Sequence, residues 1–230
     1  MHKLRKIIQK SGFDLHRYHP KAEKIEYIKN LNISTVLDVG ANTGQFAREV
    51  RMILPDAFIY SFEPLSGCFE ELNKNMAGDK KFKAFNIALG EVNEEKTMEK
   101  NEYSPSSSIL PLADEHKSLF PHARHVTKEK ITVKKLDDIA SKLDMKKDIL
   151  IKVDVQGYED KVIAGGQSTF SKAKAVLIET SFVELYTGQP LFDDIYEQMK
   201  RLGFSYRGAV EEKIEKMRGE VISQDSLFVK

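Results

Sequence analysis

The 230 residues are 41% apolar, enough for one large α/β domain with a full core, though length alone also leaves room for two small ones. Its 36 basic against 35 acidic side chains exclude nucleic-acid binding driven by overall charge, though not a local basic patch. The single cysteine, Cys68, excludes an intrachain disulfide and a cysteine-based zinc site and fits a reducing, cytoplasmic setting. No apolar run reaches the roughly 20 residues that span a bilayer, so no integral membrane association is expected.

In chain order, residues 1–32 read as an N-terminal helical extension. It is basic, lacks the apolar region and cleavage site of a signal peptide, and places Leu4, Ile7 and Ile8 on one short amphipathic face. The run Ser34 to Val39, ending in Gly40, reads as a buried strand. Gln45 to Leu54 carries Phe46, Val50 and Ile53 at helical spacing, and Pro55 closes it. A second strand, Ala57 to Phe62, ends at Glu63-Pro64, and a helix follows with Phe69, Leu72 and Met76 on one face. Phe82 to Leu89 reads as a third strand. The charged, proline-containing stretch from about 91 to 130 has no sustained period and reads as an insertion over one edge of the sheet.

The rhythm resumes with a strand over Ile131 to Leu136 and a short helix through Ile139 and Leu143. The apolar run Asp148 to Asp154 suits a strand covered on both faces. A helix over about Tyr158 to Ala164 and a strand from Ala175 to Glu179 come next. The helix Phe192 to Leu202 stops at Gly203. Two closing strand-like runs, Phe204 to Arg207 and Asp225 to Lys230, are separated by a polar connection. Strand alternating with helix predicts an α/β, Rossmann-like doubly wound, mostly parallel sheet over 33–230. Its ligands should bind just beyond the carboxyl ends of the strands.

The residues at those ends carry the chemistry. In Asp38-Val-Gly40-Ala-Asn42-Thr-Gly44, Gly40 permits a tight turn and Gly44 lets the next helix start close to the sheet, where free N–H groups attract an anionic group. Glu63 follows Gly44 by 19 residues, near the interval at which an acid meets a ribose diol in dinucleotide folds. Ala88 leaves room for a flat ring whose edge the Asn86 amide can read. Asp154 ends an apolar strand, where an acid is out of place without partners or a task. Glu159 starts the following helix, and Glu179 ends the next strand.

The ordered set VLDVGANTGQF, SFEP, NIALG, ILIKVDVQGYE and DSLFVK resembles the FkbM family of S-adenosylmethionine-dependent methyltransferases, in order from about residue 34 to 230. The resemblance implies the class I methyltransferase architecture, with a C-terminal antiparallel hairpin. It also implies S-adenosylmethionine as cofactor, held by Gly40, Asn42, Gly44 and Glu63; Asp38, Asn86 and Ala88 are expected to join them. The strand-four motif commonly reads Asp-x-Glu-Gly in the family, whereas here Gln156 stands in place of the acid. The family usually methylates hydroxyls of sugars or secondary metabolites, so a small-molecule or glycan acceptor is implied, with no nucleic acid.

Ser107 and Ser108, in a serine-rich segment similar to one in relatives, are expected at the acceptor together with Glu159 and Glu179. Methyl transfer to an alcohol removes a proton as the bond forms, so a base should lie within reach. Asp154 is the first candidate, followed by Glu179 and by His116, His122 and His125, which show no recognised metal spacing. Two rivals remain at this point. A nicotinamide-dependent oxidoreductase explains the glycine loop and Glu63 equally well, but not the ordered motifs. A non-catalytic cofactor-binding subunit leaves the strand-four acid without a task. The sequence does not fix the oligomeric state.

Overall fold

The computed structural model describes residues 27–101, 107–113, 126–215 and 219–230. The amphipathic face of Leu4 to Ile8 and the three insertion histidines lie outside them. Ten strands and six helices are named in chain order: β1 (Thr35–Val39), α1 (Gln45–Ile53), β2 (Phe58–Phe62), α2 (Ser66–Asn75), β3 (Phe82–Phe85), β4 (Ala88–Leu89), β5 (Glu94–Asn101), β6 (Val126–Lys134), α3 (Leu136–Ala140), β7 (Ile149–Val153), α4 (Glu159–Gly165), α5 (Gln167–Lys172), β8 (Ala175–Ser181), α6 (Phe192–Arg201), β9 (Ser205–Glu215) and β10 (Glu220–Val229).

Seven strands form one sheet in the order β3-β2-β1-β7-β8-β10-β9, parallel from β3 through β8 and antiparallel where β10 meets β8 and β9. Strands β1, β7 and β8 are buried along their whole length, as expected of central parallel strands covered on both faces. One face packs Val36, Ile59, Leu150 and Leu177 under α1 and α2 through Val50 and Leu72. The other packs Leu37, Ile151 and Ile178 under α4, α5 and α6 through Ile163, Phe170 and Met199. Arg51 fixes the end of α1 by donating to the carbonyls of Leu54, Pro55 and Ala57 and pairing with Asp79 at 2.7 Å, satisfying acceptors that a helix end leaves open.

Three expectations are corrected. The third strand stops at Phe85; Ala88 and Leu89 leave the large sheet and pair with β6 in a second sheet ordered β4-β6-β5. The 91–130 stretch is therefore not irregular throughout, because β5 and β6 form a regular antiparallel ladder within it. The many Lys and Glu residues along both strands hid this, since their buried apolar side chains among the described residues are Met98, Ile131 and Val133, against Leu65 and Cys68. The segment 107–113 then crosses to the β8–α6 loop through Leu112 and Tyr186. The 107–113 segment thus lies beside the carboxyl end of β7, where Ser108 meets the Gln156 carbonyl. The closing hairpin is also longer than its apolar runs, because charged residues form much of the edge strand β9. Among the described residues, no helix is long and apolar enough to cross a membrane.

Candidate active site

A cavity of about 260 Å³ opens beyond the carboxyl ends of β1, β2 and β7, where a doubly wound sheet reverses its strand order. The turn after β1 forms one wall. Gly40 has a φ of 80°, and a Cβ there would lie 1.8 Å from the Asp154 carbonyl oxygen. The close approach that requires glycine is therefore to the β7–α4 loop. Gly44, with φ 89°, faces Leu72 of α2, whose Cδ1 lies 2.8 Å from where a Cβ would stand. Gly44 packs helix on helix and does not line the cavity.

Glu63 is 5% exposed and joins two loops. One carboxylate oxygen accepts the Asn42 N–H at 2.8 Å and the other the Leu65 N–H at 2.9 Å. Burial pushes its pKa up to about 7, against the opposing pull of those two donors. Asn86 donates to the carbonyls of Glu63 and Pro64, at 2.9 Å each. It shapes the wall from behind, while Ile87 and Ala88 line it.

Asp38 is fully buried beside Lys152 in the β1–β7 register. Its Oδ2 accepts from Ser61 at 3.0 Å, and its Oδ1 has no partner among the described residues. Burial raises its pKa to about 6 despite the nearby Lys152 charge.

At the end of β7 a chain of polar groups crosses the sheet. Lys152, buried under the Phe46 ring, bonds Asp154 Oδ2 at 2.8 Å. Gln156 Nε2 donates to Asp154 Oδ1 at 2.6 Å and also to Glu179. Lys213 of β9 bonds the other Glu179 oxygen at 2.6 Å. Burial works to raise Asp154, but the charges of Lys152 and Lys213 and the hydrogen bonds outweigh it and hold Asp154 well below the usual carboxylate range. Glu179 is pushed up to about 8 by burial and by the Asp154 charge.

The cavity therefore brings together Gly40, Asn42, Glu63, Ala88, Ser107 and Asp154. Five other expected residues stand behind its wall. Asp38 and Asn86 do so as described; Ser108 donates to the Gln156 carbonyl at 2.6 Å. Glu159 accepts the Val155 and Gly157 N–H groups at 3.1 Å each, bracing the turn before α4, and burial pushes it up to about 7. Glu179 reaches the site through Gln156 and Lys213. Lys152, Gln156, Tyr158 and Lys213 also line the cavity and were missed. A lysine inside the apolar run Ile149–Val153 was as visible a signal as Asp154. Lys213, in a charged hairpin, carried none.

A mostly parallel sheet of this order, closed by an antiparallel hairpin beside a cavity at the first glycine turn, defines a class I methyltransferase domain. The family model described as Methyltransferase FkbM domain matches residues 38–206, most of the chain, and the protein belongs to that family. A curated relative, the 2-O-methyltransferase NoeI of Sinorhizobium fredii, is 30% identical over 161 residues. The match covers 67% of this chain and 66% of the relative, a little under two thirds of the relative's length. Solved structures with a similar chain path include precorrin-6y C5,15-methyltransferase from Geobacter metallireducens, at TM-score 0.47 and 9% identity over 90% of this chain and 84% of that one. Another is an rRNA methylase from Streptococcus thermophilus, at TM-score 0.47 and 8% identity over 94% and 99%. Likenesses this distant carry nothing about acceptor or mechanism.

Proposed function

We propose that the protein transfers the methyl group of S-adenosylmethionine to a hydroxyl oxygen of a sugar, glycan or small secondary metabolite. The observation that carries this reading is the one cavity lined by both Glu63, a buried carboxylate just beyond β2, and Asp154, a fixed carboxylate beyond β7. The printed activity of the relative, 2-O-methyl transfer, supports oxygen as the acceptor atom.

The residues fit the cofactor. Asp38 leaves one buried oxygen without a partner, and such a group calls for a donor. The N-cap of α1, Gly44, has no side-chain hydrogen bond, so the first N–H groups of that helix remain available to a carboxylate. Asn42 and Gln45 would hold the amino-acid end, Glu63 the ribose, and Ile87, Ala88 and Met98 the base, with Asp38 behind that wall. Bound there, S-adenosylmethionine supplies an electrophilic methyl carbon on a sulfonium leaving group.

Asp154 would hold the acceptor hydroxyl by accepting its hydrogen bond. The hydroxyl proton becomes strongly acidic as the C–O bond forms, so a carboxylate of low proton affinity suffices to take it. Lys152 and Gln156 fix the carboxylate, reducing the reorientation needed at reaction. Tyr158, Ser107 and Ile109 would narrow the space and exclude water. The proposal is tested by incubating the protein with methyl-labelled S-adenosylmethionine and fractionated glycans and metabolites. Label on an ether oxygen is expected; label only on nitrogen or carbon acceptors would overturn it.

A further inference from the structure

Gln156 stands on a strained turn and satisfies two carboxylates at once. Its φ is 56° and that of Gly157 is 97°, and the Ser108 hydroxyl holds its carbonyl. Its amide orientation is decided by three neighbours. Tyr186, 2% exposed, donates its phenol hydrogen to Oε1 at 2.7 Å, which turns both Nε2 hydrogens toward Asp154 and Glu179. The flipped amide would place Oε1 against two carboxylates and Nε2 against a phenol donor, so only one orientation satisfies every partner.

The charged groups around this point come from every strand packed there. Lys152 is on β7, Asp38 on β1, Glu179 on β8, Asp225 on β10 and Lys213 on β9, with Glu159 on α4. They comprise Asp38, Asp154, Glu159, Glu179 and Asp225 against Lys152 and Lys213. Lys213 is 57% exposed at the side chain, so solvent screens its contribution. A third acid between Asp154 and Glu179 would have no cation left to pair with.

We propose that Gln156 is a positioning residue: as the neutral bridge between Asp154 and Glu179, it keeps the Asp154 carboxylate aimed at the acceptor hydroxyl without placing a further negative charge beside it. This rests on the methyl-transfer reading for the role of Asp154, but the bridge itself can be read without it. The perturbed carboxyls agree with the geometry: Asp154 is held low while Glu179, sharing the amide, is pushed up.

The test is Gln156→Glu, nearly the same shape, beside Gln156→Leu, which removes both hydrogen bonding and charge. Thermal midpoints of the wild type and both variants are measured between pH 5 and pH 8. A glutamate placed here has its folded-state pKa raised, so it is tolerated when protonated and destabilises progressively as pH rises through that pKa. The midpoint gap between wild type and Gln156→Glu should widen by at least about 3 °C over that range, while the Gln156→Leu gap stays constant. The rate of methyl transfer by Gln156→Glu, relative to wild type, should be highest at the acid end and fall by about tenfold or more toward pH 8.

Gaps and relative rates independent of pH in both variants would overturn the inference. So would a widening midpoint gap with a pH-independent relative rate. If the midpoint gap widens but the wild type itself transfers no methyl group to any hydroxyl, the bridge stands and the methyl-transfer reading fails.

Discussion

Glu63 connects cofactor binding to pH. Its carboxyl is pushed up to about 7 from a usual 4.5, a displacement equivalent to about 3 kcal/mol against the ionised form. Because the folded-state value is raised, the stability contributed by this group is present at acid pH and lost as pH rises toward 7 and above. A ribose diol donating two hydrogen bonds would favour the ionised form. In the free protein Glu63 should be about one-tenth ionised at pH 6 and about nine-tenths at pH 8, so cofactor affinity should rise about tenfold over that interval.

Glu63→Gln should flatten that rise. It should also weaken binding at pH 8 by about 2–4 kcal/mol, more than one lost contact would suggest. The carboxylate also anchors the Asn42 and Leu65 amides, and an amide side chain can accept from only one of them. Calorimetry at pH 6, 7 and 8 on both proteins is the assay. An affinity for S-adenosylmethionine that is equal in the two proteins at every pH would refute the reasoning.

Gly40→Ala should prevent stable folding, since its Cβ would collide with the Asp154 carbonyl at 1.8 Å. Gly78→Ala, where φ is 87° and nothing lies within 4 Å, should cost only about 1 kcal/mol by thermal denaturation. Gly165→Ala should also disrupt folding, because its Cβ would meet the Gly90 carbonyl oxygen at 1.9 Å. Asp154→Asn should lower the methyl-transfer rate about 10²–10⁴-fold and change cofactor affinity far less. Single-turnover transfer and calorimetry on that one variant separate this outcome from a cofactor-holding role, in which both quantities fall together. Lys213→Ala should cost less than about 1 kcal/mol in chemical denaturation, because its pair with Glu179 is largely solvated on the lysine side.

The large sheet was legible because its central strands are apolar on both faces, as in Val36-Leu37 and Ile149-Leu150-Ile151. The second sheet was not, because the buried apolar side chains of β5 and β6 are few, Met98, Ile131 and Val133, among many Lys and Glu residues. Glu63 and Asp154 were legible as acids placed where strands end. Gly44, Asn86 and Glu159 were correctly located near that edge, but spacing does not reveal which way a side chain turns. They serve helix packing, loop shape and a turn. Gln156 looked like a lost acid in the sequence; its pairing with Glu179, 23 residues away, becomes visible only once β7 and β8 lie side by side.

The most direct test of the central claim is calorimetric titration of the unaltered protein with S-adenosylmethionine, its demethylated product and NAD. Binding of the first two at about micromolar affinity or tighter is expected, with no binding of NAD. Binding of NAD with no binding of S-adenosylmethionine would contradict it.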